Sequence, residues 1–61
     1  MKKLILENVD DFEKSDLQII RNIKRLLFYI DGISYVENDI LEEVESMLII
    51  ADFKFKVEEM Y

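Results

Sequence analysis

The residues of this chain that could do chemistry are few and of a narrow kind. Its hydroxyl groups are Ser15, Ser34, Ser46 and three tyrosines, and it contains neither histidine nor cysteine. Nucleophilic catalysis needs an activated nucleophile beside a base. No serine here has a histidine to activate it, and Ser15 and Ser34 stand at expected helix caps. Glu42, Glu43 and Glu45 are spaced for paired acid/base work, but that chemistry requires one carboxyl to be desolvated in a cleft that shifts its pKa. The single glycine, Gly32, cannot make a phosphate-binding loop. Absent cysteine removes disulfides and thiolate sites, and absent histidine removes the commonest transition-metal ligand. The acidic run from Glu37 to Glu45 lacks the glycine and alternating oxygen ligands of a calcium loop. The expectation is a protein without catalytic residues, cofactor or metal.

Recognition is the chemistry left. Glu37, Asp39, Glu42, Glu43, Glu45 and Asp52 lie in one stretch with no basic residue among them, and the whole chain carries a net charge of −6. The preceding stretch instead carries Lys14, Arg21, Lys24 and Arg25. One reading is two solvated faces of opposite sign that favour pairing within the chain or in a homodimer. The other is an acidic ridge that docks onto a basic patch of a partner protein. The nucleic-acid groove of an enzyme is such a patch, and dense carboxylates there imitate a phosphate backbone. Direct binding of nucleic acid by so acidic a chain is not expected. Phe28, Tyr29, Ile50, Phe53, Val57 and Met60 are the candidate apolar contact residues, since aromatics and Met are enriched at interface cores.

Length and composition decide what must hold these residues in place. Sixty-one residues form one small domain, which buries only about 60% of the surface its unfolded chain exposes. An apolar fraction of 51% is high for a chain with so little interior, and with disulfides and metals excluded the remaining support is oligomerisation. The longest apolar runs, Leu26 to Ile30 and Met47 to Ala51, fall far short of the roughly 20 residues that cross a bilayer. The start, Met1-Lys2-Lys3-Leu4-Ile5-Leu6, lacks the apolar core and cleavage site of a signal peptide. A cytoplasmic protein without membrane partners is expected.

Periodicity predicts helices. Ile19, Ile20, Ile23, Leu26, Leu27 and Ile30 form one stripe, Ser15 with Gln18 has the form of a capping box, and Gly32 stands where a C-terminal cap belongs. This gives a first helix over 12–31. A second stripe, Ile40, Leu41, Val44, Met47, Leu48, Ala51 and Phe55, predicts a helix over 34–51, continued to residue 60 in the favoured version. Residues 1–11 read as a strand or ordered arm. In the alternative version the chain turns near Asp52, and Phe53, Phe55 and Val57 alternate with charged residues as a strand paired to Lys2–Glu7, a β-α-α-β unit. The expected fold is therefore mostly α: an antiparallel helical hairpin, with or without short terminal strands, assembled as a homodimer.

A short N-terminal strand, two helices and Gly32-Ile33-Ser34 between them resemble the ribbon-helix-helix regulators. That resemblance implies a DNA-binding dimer whose paired strands enter the major groove. Here the strand offers Leu4 and Leu6, or Ile5 and Glu7, where base-reading side chains would stand. In size, acidity and lack of catalytic residues the chain is similar in class to accessory proteins of phages and mobile elements: anti-defence proteins, host-enzyme inhibitors and antitoxins. The favoured expectation is a dimeric, non-enzymatic inhibitor or modulator of a partner protein. A ribbon-helix-helix-like regulator and a purely structural self-assembling subunit are the alternatives.

Overall fold

The computed structural model describes residues 1–59. Strand β1 (Lys2–Leu6) leads into helices α1 (Val9–Lys14) and α2 (Gln18–Leu26), then strands β2 (Leu27–Ile30) and β3 (Ile33–Val36). A 3₁₀ turn at Asn38–Ile40, helix α3 (Leu41–Ile50) and strand β4 (Phe55–Glu59) follow. The strands form one antiparallel sheet in the order β2-β3-β1-β4. Each helical crossover skips a place in the sheet: β3 fills the gap between β1 and β2, and β1 fills the gap between β3 and β4. This is the split β-α-β arrangement called ferredoxin-like. The fold is α+β, which overturns the mostly helical antiparallel hairpin expected from periodicity.

The expected first helix, 12–31, is interrupted at 15–17 and stops early for local reasons, and α1 begins at Val9, inside the strand or arm expected over 1–11. At Ser15 the backbone turns extended (ψ 134°), and Leu17 is extended too, so α1 and α2 are separate. Ser15 caps nothing as a box; its Oγ accepts the Leu17 N–H at 3.3 Å. Lys24 joins the two helices instead. Its Nζ donates to the carbonyls of Glu13 (3.0 Å) and Ser15 (3.4 Å) and lies 5.5 Å from the centre of the Phe12 ring. A cation on the carbonyl end of α1 meets the negative end of that helix's dipole. At Leu27 the chain leaves the helix because Asp31 and Gly32 both take positive φ (52° and 78°), as a two-residue type I′ hairpin turn demands. Gly32 is thus a hairpin residue, and Leu27–Ile30 pairs with Ile33–Val36.

The expected second helix, 34–51 with continuation to 60, also needs correction. Ser34 lies in β3, and α3 starts only at Leu41. At its other end α3 stops in a Schellman motif: the Phe53 N–H donates to the Leu48 carbonyl (2.9 Å) and the Asp52 N–H to the Ile49 carbonyl (3.1 Å). Asp52 sits at φ 64°, the left-handed position that glycine usually holds. The chain then returns as β4 on β1, with Phe55 opposite Leu6 and Val57 opposite Leu4. The terminal strands of the β-α-α-β alternative are therefore present, with a hairpin that it lacked.

Paired residues share a face and successive residues alternate. The register places Leu4, Leu6, Leu27 and Val36 under the helices, where they join Phe12, Ile20, Ile23, Val44 and Leu48 as the buried core. The other face of the sheet, among the described residues, has no element over it.

Candidate protein-interaction surface

Helix α3 shows its buried stripe, Val44 and Leu48, to the sheet and a different composition to solvent. Glu42, Glu43 and Ser46 are exposed and Glu45 is half-buried. At about 100° per residue, Glu42, Glu45 and Ile49 share one flank of the helix, and Glu43, Ser46 and Ile50 the other. Ile49 and Ile50 are 69% and 75% exposed, the highest values among the exposed large hydrophobic residues. The outer side of α3 is therefore a carboxylate field that ends in two bare isoleucines. Part of the acidity has a structural cause, since Glu42 and Glu43 occupy the first turn, where the helix dipole favours anions. The dipole does not explain the isoleucines.

The ridge expected from the sequence is only partly one surface. Glu37 and Asp39, both exposed, lie just before and within the 3₁₀ turn that leads into α3. Asp52 lies past the opposite end of the helix. It borders a shallow groove of about 330 Å³ with Glu7, Asp11 and Lys54. Among the described residues, no three acidic side chains converge as a metal-binding group.

The apolar candidates divide in the same way. Ile50 is on the α3 surface. Phe53 and Val57 pack against the chain's own core, Phe53 edge-on to Phe12 with ring centres 5.7 Å apart and planes at 88°. Met60 lies outside the described residues. Phe28 and Tyr29 are 46% and 55% exposed on β2, an edge strand of the sheet. They point to opposite faces: Phe28 shares the uncovered face with Tyr35, and Tyr29 the helix-covered face with Ser34. Beside Glu13, Tyr29 lines a groove of about 270 Å³ between α1 and the hairpin. Partial burial there pushes its phenol above the ordinary value of 10.0; the Ser34 hydrogen bond opposes that rise and the Glu13 charge adds to it.

Sequence reasoning missed the uncovered sheet face. The register puts Ile5, Phe28, Ile30, Ile33 and Tyr35 there with Lys3, Lys56 and Glu58. The signal for it was Asp31-Gly32 between two runs rich in β-branched and aromatic residues, which marks a hairpin.

Among the described residues, no helix is long and apolar enough to cross a membrane. β1 is paired on both sides, by β3 and by β4, whereas a ribbon-helix-helix regulator needs that strand free to pair with a second copy. Comparison with protein-family models, with curated proteins and with solved structures finds no match to this chain.

Proposed function

We propose that this protein is a non-enzymatic, cytoplasmic interaction module that acts as a homodimer and inhibits or modulates a partner protein by covering one of its surfaces. The observation that carries the reading is the outer side of α3, where Glu42, Glu43 and Glu45 on the N-terminal half lead to the exposed Ile49 and Ile50 at the C-terminal end. Solvent-facing isoleucines gain nothing from water. Their burial in a partner's recess contributes up to about 1.5–3 kcal/mol each. The carboxylates steer and orient the encounter more than they tighten it. The complementary surface is an apolar recess with a basic rim, as on a protein that grips a phosphate backbone.

Affinity capture from the source cells tests this with three baits: the wild-type chain, an Ile49→Asp/Ile50→Asp variant and a Glu42→Lys/Glu43→Lys variant. The expected result is a stoichiometric partner held by the wild type and lost from both variants, with binding that weakens as salt screens the carboxylates. A partner retained equally by all three baits removes α3 from the account.

A further inference from the structure

We infer that the second copy of the homodimer joins at the free edge of β2, extending the four-stranded sheet across a two-fold axis at Tyr29. This rests on the homodimer of the proposed function and specifies how it is built.

The two edges of the sheet differ in the features that decide whether a strand accepts a neighbour. Natural edges are protected by charged side chains, proline or bulges. The β4 edge has such protection, since Lys56, Glu58 and Glu59 lie within it and Lys54 just before it. β2 reads Leu-Phe-Tyr-Ile, with no charge and no proline, and Phe28, Tyr29 and Ile30 are each about half exposed.

Backbone geometry then fixes the register. In a two-residue hairpin the residues beside the turn, Ile30 and Ile33, form a hydrogen-bonded pair, and bonded and unbonded pairs alternate from there. Phe28 and Ile30 therefore turn their N–H and C=O groups to β3, and Leu27 and Tyr29 turn theirs to the open edge. The Leu27 N–H is already donated to the Lys24 carbonyl. Tyr29 is left as the β2 residue with both backbone groups open at the edge. A two-fold axis at Tyr29 pairs its N–H and C=O with those of the second Tyr29.

The faces agree with this register. Phe28 of each copy falls opposite Ile30 of the other on the uncovered face, an aromatic–aliphatic cross-strand pair made twice. Charge agrees too. α2, with Arg21, Lys24 and Arg25, runs directly into β2, whereas α3 delivers the chain to the opposite edge. Joining at β2 leaves both acidic helices free for a partner. The interface is isologous and the remaining β4 edges are charged, so assembly closes at two copies.

Two double variants that sacrifice the same apolar surface test the register. Phe28→Lys/Ile30→Lys sets like charges opposite each other twice across the axis, and Phe28→Lys/Ile30→Glu sets opposite charges there. With light scattering as the readout and circular dichroism to check folding, the Lys/Lys chain is expected to dissociate at least about tenfold more readily than the Lys/Glu chain. The chain has no native cysteine, so oxidation of a mixture of Phe28→Cys and Ile30→Cys chains is an independent test. The unlike disulfide should form in preference to either like one, because unbonded cross-strand partners lie about 4.5 Å apart at Cα. A wild-type dimer with equal Lys/Lys and Lys/Glu affinities and no preference for the unlike disulfide overturns the β2 edge and leaves the homodimer reading standing. A wild-type chain that stays monomeric throughout overturns both.

Discussion

Phe12 shows how much of this small fold depends on single side chains. It is 2% exposed, stacks edge-on with Phe53 and lies under the Lys24 ammonium, so it ties α1, α2 and the turn between α3 and β4 to the core. Phe12→Ala should cost about 3–5 kcal/mol. A domain of this size has little more than that in total. The expected outcome in a thermal melt is therefore loss of the cooperative transition, and a melt lowered by only a few degrees would mean that α1 is not part of the core. Tyr29 makes a pH-dependent prediction. Its phenol titrates above 10.0 when folded, because partial burial and the Glu13 charge disfavour the phenolate. A raised folded pKa means that the associated stability is present below the unfolded value and is lost as pH rises through the folded one. An ultraviolet tyrosinate titration should show a late-titrating phenol that is missing in Tyr29→Phe.

Elements were legible in the sequence where one physical signal acted alone. Of the first stripe, Ile20 and Ile23 are fully buried in α2 while Leu27 and Ile30 lie in β2; of the second, Val44 and Leu48 are fully buried in α3. The apolar run from Leu26 to Ile30 was ambiguous, because a short run fits a buried helix end or a strand equally well. Asp31-Gly32 should have settled it in favour of the hairpin. The end of α3 was harder to see. Its Schellman turn uses Asp52 in place of glycine, so nothing in composition marks a stop. The same substitution makes a stability prediction. Asp52 holds a left-handed backbone with a Cβ, and it is an acidic residue placed just past the C-terminal, negative end of the α3 dipole. Asp52→Gly relieves both and should stabilise the fold by about 0.5–1 kcal/mol in urea denaturation, net of the entropy that glycine adds to the unfolded chain. A loss of stability would show that the Asp52 side chain does more for the turn than its conformation indicates. The exposed residues of the candidate site were legible as types but not as a surface. Glu42, Glu43 and Ile50 stay together because one helix holds them. Phe53 and Val57 instead pack, partly buried, against the core because a turn and a strand, not a longer helix, continue the chain.

At the scale of the whole molecule, a sheet changes where the surplus apolar surface lies. A hairpin of two helices would have left Phe53, Val57 and their neighbours bare, whereas here they pack against the core. What stays uncovered is the far face of the sheet, the β2 edge and the isoleucines that end α3. These surfaces differ in character. The β2 edge and the β2–β3 side of that face are apolar and continuous with each other, which suits a second copy. The third ends a helix whose outer side carries Glu42, Glu43 and Glu45, which suits a basic partner of different sequence. The two associations can therefore be separated by substitution. Titration calorimetry of the captured partner against the wild-type chain and the Ile49→Asp/Ile50→Asp variant measures the working surface directly. Affinity is expected to be at least about tenfold weaker for the variant, with its circular dichroism spectrum unchanged, because each buried isoleucine exchanged for a carboxylate costs more than about 1.4 kcal/mol. Equal affinity for both chains would contradict it.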